Sequence, residues 1–542
     1  MSQQSEIKVI QLDAVAAEQL LKRIEPQIDL SDFQLIVGVF ESVPQLLEYL
    51  KDKDISIKKF QRMLFGEKTE KTARVLPQEP QDTPSAPDER QKTAPEEKKK
   101  RPGHGRNGAK DYPGATTVNV PHPHLKPGDI CPGCKKCKVY LLKDPAIVLH
   151  IIAQPIFPAT IYNMEQLRCG GCQQVFTAPT PPQAVEGKYD PNVGSQLAIL
   201  DYDLGVPLNR IENLQTSFGV PLPAGTQWDL IKKTAQAVEP VFEEFQRQAA
   251  QADLFHTDDT YMQVLDIRKE ITAQASTDTQ DSEKKRTGIF TTGIVARTDS
   301  HDIVLYFTGR QHAGENLRDL LSKRSKELPP PILMCDALSR NVPAEFQVIL
   351  SNCCSHGRRM FVDIALTFPL ECRRMLEDFK QIYHFDALAR DAKLSHQARL
   401  EFHQANSGPI METLQLWIHS QFDHKLVEPN SSLGKAFKYM LKHWQALTLF
   451  LRKPGAPLDN NLCERILKRA IRHRKNSMFY KTLAGAHVGD VFMSIIQTCH
   501  SCVTNAFDYI TTLVKNAERV KAQPALWMPW NFKTALQDAN SS

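Results

Sequence analysis

The stretch from Leu458 to Phe479, LDNNLCERILKRAIRHRKNSMF, constrains the fold more than any other. Asp459 or Asn460 offers a short polar side chain able to accept from first-turn amides, the mark of a helix N-cap. Leu462, Ile466 and Ala470 then recur at i, i+4 and i+8 and give an apolar stripe, with Leu467 and Ile471 at its edge. Glu464, Lys468 and Arg472 share the same spacing on a neighbouring face, and Arg465 to Lys481 holds seven Lys or Arg and no Asp or Glu. One carboxylate thus stands at the head of a cationic amphipathic helix. A solvated face with Glu464 paired to Lys468 is one reading. The other is a carboxylate that ligates a metal while the cations behind it hold a polyanion.

A chain of 542 residues exceeds one core and predicts several units. Its 41% hydrophobic and 24% charged content is ordinary for a globular protein, and the net charge of +5 says less than the local clustering of cations. No apolar run of about 18 residues occurs, so no membrane span is expected. The start, MSQQSEIKVIQLDA, lacks the pattern of a secretory signal. Twelve cysteines, which include the CxxC pairs Cys131/Cys134 and Cys169/Cys172, then suggest metal sites and reduced thiols in a cytoplasmic protein.

Taken in order, residues 1–72 read as helices, with a helical hairpin or a coiled coil as the alternatives. Residues 73–112 are poor in large apolar side chains and read as a disordered linker ending in a basic arm. Over 113–184, Cys131-Pro-Gly-Cys134 and, after 34 intervening residues, Cys169-Gly-Gly-Cys172 have the spacing of a four-thiolate structural zinc ribbon, with Cys137, His122 and His124 as competing ligands. Strand-like runs at 139–142, 147–152 and 161–167 would supply its sheet. Residues 185–250 read as helix, glycine turn at Gly219, helix through Ala237; a packed hairpin and a DNA-binding helix-turn-helix are both open.

Strands are expected at 252–265, 288–296 and 303–307 as an antiparallel meander, then at 331–336 and 348–353. Together 251–367 form the first part of a core, 368–452 a helical insertion, 453–520 the second part with Glu464 and apolar helices, and 521–542 a tail. The fold class is multidomain α/β. Asp258 lies on the first strand, Asp336 ends the fourth, and Glu464 follows the insertion. Three carboxylates gathered without a counter-ion repel one another, so such a site implies a cation, and oxygen-only ligation favours Mg²⁺ or Mn²⁺. No glycine-rich phosphate loop is present, which disfavours nucleotide hydrolysis.

At these residues the chain resembles the transposases of the insertion-sequence-sixty-six (IS-sixty-six) family. Leu64–Lys71 is similar to the "FGRKSEK" close of its N-terminal helix, and the CPGC and CGGC pairs to its zinc-binding domain. Asp258-Asp259-Thr260 is similar to its "DET" element, and Cys353 to Phe361 to "CWAHARRKF". Asp459 to Arg465 with Arg474 to Phe479 matches "DNNLAER…RKNWLF". The family's "DGY" is Asp336-Ala337-Leu338 here. The resemblance implies a DDE transposase with a ribonuclease H-like core, in which Asp258, Asp336 and Glu464 bind Mg²⁺ (or Mn²⁺) and catalyse cleavage and strand transfer. It implies that His356, Arg358, Arg359, Arg465, Lys468, Arg472, Arg474 and Lys475 hold phosphates. The expected partners are terminal inverted repeats and target DNA, further copies of the chain and possible accessory transposition proteins, in the cytoplasm at the bacterial nucleoid. A catalytically inactive zinc-containing DNA-binding protein derived from a transposase is the alternative.

Overall fold

The computed structural model describes residues 188–275 and 287–541, the segments 120–121, 123–142, 154–168 and 175–181, and isolated positions including Cys172. The segments expected at 1–72 and 73–112, apart from single positions, lie outside the described residues, as do Cys169 and His122. Contacts divide the chain into two units, the larger holding Ile161–Ser217 and Pro221–Ser542, the smaller Pro80–Thr160 with Phe218–Val220.

In the smaller unit, Ile130 and Lys138 form an antiparallel bridge around Cys131–Cys137. Residues 139–142, expected as a strand, form none among the described residues, and Tyr140 and Leu141 are exposed there. The larger unit begins with strands β1 (Gln166–Arg168) and β2 (Val175–Thr177), paired antiparallel. Helix α1 (Asn192–Ala198) continues as a π-helical turn, Ile199–Asp203. Helices α2 (Leu208–Ser217) and α3 (Ala224–Ala249) follow, with Gly219 between them at φ 74°. Instead of ending at Ala237, α3 runs on through Pro240, because its apolar face at Ile231, Ala235, Val238, Phe242, Phe245 and Ala249 stays in phase and buried. The two helices pack on one another, with α3 lying against the core.

The central sheet has five strands: β3 (Leu254–Tyr261), β4 (Phe290–Arg297), β5 (Asp302–Gly309), β6 (Ile332–Cys335) and β7 (Ile349–Asn352). Their order is β5-β4-β3-β6-β7, with β3, β4 and β5 antiparallel and β6 and β7 parallel to β3. The wholly apolar Ile332-Leu-Met-Cys335 is buried along its length, as an interior parallel strand must be. β3 stops at Tyr261, short of the expected Leu265. Leu265 donates its amide to the Tyr480 carbonyl and opens helix α4 (Leu265–Ala275), with Asp266 favourable in its first turn. Helix α5 (Ala313–Leu321) connects β5 to β6, and α6 (Cys354–Ile364) follows β7.

The insertion is helical, as the sequence predicts: α7 (Pro369–Asp391), α8 (His396–Asn406), α9 (Gly408–Asp423), α10 (Ser432–Lys442) and the short α11 (Trp444–Leu447). It packs onto α6 through one core containing Phe361, Met375, Phe379, Leu414 and Phe437. Phe437 touches the rings of Phe361, Trp417 and Phe422; burying such a side chain contributes about 2–3 kcal/mol. The chain then returns as α12 (Asn461–Ser477), α13 (Leu483–Ser501), α14 (Ala506–Lys515), α15 (Ala517–Ala522) and α16 (Phe532–Ser541). Trp527, Met528 and Phe532, in the stretch expected to be a tail, are buried.

An exposed sheet edge invites mispairing, and α13 removes that hazard at β5. Its side chains at i, i+4 and i+8 take the strand's outward amides: Asp490 Oδ2 accepts from Thr308 N at 2.7 Å, Ser494 Oγ from Tyr306 N at 2.9 Å, and Thr498 Oγ1 from Val304 N at 3.0 Å. Among the described residues no helix is long and apolar enough to cross a membrane.

Candidate active site

The site forms at the carboxyl ends of β3 and β6. These strands run parallel with His256 opposite Met334, so Asp258 lies two residues beyond that pair on β3 and Asp336 two residues beyond it, just past the end of β6. Asp258 and its neighbour Asp259 point to opposite faces, and their surroundings differ. Asp259 is consumed structurally: it accepts from Thr292 Oγ1 at 2.6 Å, from Ala313 N at 3.1 Å at the start of α5, and lies 3.2 Å from His312 Nδ1. Asp258 accepts from the Asp259 amide at 2.8 Å. Burial pushes its carboxyl up to about 7, with the negative charges of Asp336 and Glu464 adding to the rise. Asp336 is held by Asn341 Nδ2 and by Leu338 N at 3.2 Å.

Glu464 arrives in the first turn of α12, and Asn460 sets where that turn sits. Asn460 occupies the N-cap position without capping. Instead its Nδ2 donates to the Thr257 carbonyl at 2.9 Å, its Oδ1 lies 3.1 Å from His256 Nδ1, and its amide donates to Cys353 Sγ at 3.2 Å. The cap expectation is thus half right: Asp459 Oδ1 accepts from Asn461 N at 3.1 Å, while Asn460 fastens the helix to β3 and to the start of α6. Burial drives His256 down to about 4, so it stays neutral in this network. Gly293, paired with Asp258 on β4, makes the approach possible; a Cβ there would lie 2.9 Å from Leu467 Cδ2. The sequence singled out neither His256, Asn341, Gly293 nor the fastening role of Asn460. The Asp-Asn-Asn run was a visible signal for the last, because two amides at a helix start exceed what capping needs.

Beside Glu464, His356 Nε2 lies 4.0 Å from Oε1, and Glu464 has this contact and not the Lys468 pair. Oε1 is buried and makes no hydrogen bond; His356 Nδ1 is in the same condition. Donor atoms of Cys353, His356 and Glu464 fall within 4.8 Å of one another. The Cys353 thiol is pushed up to about 11 by burial, so it is protonated at neutral pH and a weak ligand in that state. Glu464 thus offers an orphaned carboxylate oxygen, and Asp258 a carboxyl raised chiefly by burial.

Along α12, Arg465, Lys468, Arg472 and Lys475 are exposed. With Arg469 and His500, the first three line a basin of about 410 Å³. Several of the expected phosphate-binding residues already have partners, among them Arg472, which donates to the Asp203 carbonyl, and Arg474, which donates to the Tyr261 carbonyl. Arg469, not singled out by the sequence, donates to the Asp203 carboxylate. Arg358 and Arg359 lie on α6, the helix that carries His356.

Among the candidate zinc ligands, Cys131 N donates to the Cys137 carbonyl at 2.7 Å and Cys137 N reaches Cys134 Sγ at 3.4 Å. Backbone amides of Lys136 and Cys137 lower the Cys134 thiol to about 7, the setting of a thiolate knuckle. Cys172 lies in the connection between β1 and β2.

Comparison with known proteins agrees with the motifs. The chain is 23% identical over 526 residues to the uncharacterized protein y4hP of Sinorhizobium fredii (strain NBRC 101917 / NGR234), covering 89% of each. It is 24% identical over 404 residues to the uncharacterized protein y4jD of the same organism, covering 70% of this chain and 75% of that one. Residues 186–488, more than half of the chain and spanning all three acids, match the family described as Transposase IS66 family. The chain belongs to the IS66 transposase family.

Proposed function

We propose that the chain is a DDE transposase that cuts and joins DNA strands with divalent cations held by Asp258, Asp336 and Glu464. The observation that carries this reading is the buried Glu464 Oε1 left without a hydrogen bond at the sheet end where the Asp258 carboxyl is raised to about 7. A sheet order with three antiparallel strands followed by two parallel ones, and a helix bearing the last acid after an insertion, supports a ribonuclease H-like core. Bound divalent ions would supply Lewis-acid activation of the attacking oxygen and stabilisation of the leaving one. This chain's own groups would do the rest. The carboxylates fix the ions' positions, Asn460 fixes the approach of Glu464, and Arg465, Lys468 and Lys475, with Arg358, Arg359 and the remaining donors of Arg472 and Arg474, hold phosphates. His356, whose Nε2 lies 4.0 Å from Glu464 Oε1, would contact the phosphate entering beside that acid. Water would attack at the element's end, releasing a 3′ hydroxyl that next attacks target DNA.

Incubation with terminal inverted-repeat DNA and Mg²⁺ tests this. Wild type should nick and join, whereas Asp258→Ala and Glu464→Ala should lose at least about 10³-fold of that rate. Binding with no metal-dependent nicking by wild type would favour the silent DNA-binding protein. We propose in addition that Cys131, Cys134, Cys169 and Cys172 hold a structural Zn²⁺; a metal content near zero with freely titrating thiols would remove that claim.

A further inference from the structure

A cavity of about 640 Å³ opens at the C-terminal end of α12, walled by Tyr202, Leu208 and Trp228 on one side and by Met478 and Phe479 on the other. That size suits a small planar ligand group. Its rim is apolar and wet: Met478 is 67% exposed, Phe479 37% and nearby Leu483 51%. The backbone holds it so. Met478 has φ 68° and ψ −46°, and the Phe479 amide donates to the Ser477 carbonyl at 2.9 Å. This is the strained, positive-φ form of the γ-turn, of the kind that persists where its surroundings over-determine it. Those surroundings are on β3's continuation: Tyr480 N donates to the Gln263 carbonyl at 2.9 Å, Leu265 N to the Tyr480 carbonyl at 2.9 Å, and Arg474 to the carbonyl of Tyr261. The turn is therefore clamped to the strand that carries Asp258. Ser477, also lining the cavity, has a buried Oγ with no hydrogen-bond partner.

Charge specifies the occupant. Arg465, Lys468, Arg472 and Lys475 fall at i, i+3, i+7 and i+10, a single exposed face leading from Glu464 toward the cavity, about 15 Å long. That is roughly four nucleotides at the rise of one DNA strand. Lys481 adds a further exposed cation at the cavity itself. An apolar protein knob would gain nothing from such a row, whereas a polyanion with flat aromatic groups gains from both. We infer that the cavity takes an unstacked nucleobase of the DNA strand whose phosphates follow this face, stacked against Phe479 and Trp228. The inference rests on the DNA-processing reading of the same helix and extends it.

The test uses the full chain in EDTA, over a series of salt concentrations, with a fluorescent twelve-nucleotide oligothymidylate carrying one central 2-aminopurine. Wild type should quench the 2-aminopurine on binding. Phe479→Ala, at a half-exposed position, should weaken binding about 5- to 150-fold and restore the emission, with the salt slope unchanged. Lys475→Ala should reduce the salt slope by about 1 and leave the quenching. Binding by Phe479→Ala within twofold of wild type with quenching intact would overturn the inference. So would unchanged DNA affinity accompanied by loss of self-association in sedimentation, which would make the cavity a seat for a second copy. Quenching by a wild type that never nicks would sink the cleavage reading while leaving the cavity standing.

Discussion

Two helices lie across the same sheet and finish it in opposite ways. Against β5, α13 presents Asp490, Ser494 and Thr498 to three successive outward amides, and each strand donor there is satisfied. Against β3, α12 is fastened just as firmly by Asn460. Yet around it Glu464 Oε1, His356 Nδ1, Asn352 Oδ1 and Asn341 Oδ1 are buried without partners. Buried polar groups are ordinarily paired, and unpaired ones mark strain, catalysis or an absent ion or water. The first interface closes an edge. The second leaves these polar atoms unpaired, as it does His256 Nε2 and Thr257 Oγ1 at the anchor, and that contrast marks this end of the sheet as the candidate site.

The contrast can be broken first at its anchor. Asn460→Ala would strand the His256 ring and the Thr257 carbonyl in a buried setting, lowering stability by about 2–4 kcal/mol in denaturant melts. It should also cut nicking by at least about 100-fold, since Glu464 lies one turn away and loses its position. A nicking rate like wild type's would mean that Glu464 does not depend on this anchor. At the closed edge, Ser494→Ala leaves the Tyr306 amide unpaired and should cost about 1–3 kcal/mol with nicking unchanged at permissive temperature.

A smaller effect separates the two interfaces by pH. Asp490 and Asp258 are each pushed up to about 7, chiefly by burial. A folded-state value above the unfolded one of about 3.9 means that their contribution is full below about pH 4 and lost as pH rises to about 7. The metal-free protein should therefore lose stability across that window and level off above it. Asp490→Asn and Asp258→Asn should each remove part of the slope, as followed by melts from pH 4 to 8. Added Mg²⁺ should restore only the share of Asp258; restoration of both would contradict the division between a closed edge and an open site.

Much of this was legible in residue order. Five core strands, the helical insertion and the amphipathic α12 follow from alternation, apolar runs and 3.6-residue spacing, because those patterns are local. What escaped was set by long-range pairing. β3 ends early because Leu265 answers to Tyr480, more than two hundred residues away in sequence. Asn460 looks like a cap until a distant His256 claims its side chain. In the same way Arg472 and Arg474 read as free cations, but carbonyls of Asp203 and Tyr261 take part of their donors. The three residues Trp527, Met528 and Phe532 were too sparse to announce a buried segment.

Calorimetric titration with Mn²⁺ at pH 6 and pH 8 tests the central claim, that three carboxylates build one cation site. Wild type should bind more tightly at pH 8 and release more protons at pH 6, since the Asp258 carboxyl must ionise on binding. Asp258→Asn, Asp336→Asn and Glu464→Gln should each weaken binding at least about tenfold, with the pH dependence vanishing in the first. Equal Mn²⁺ affinity in wild type and all three variants would contradict the account.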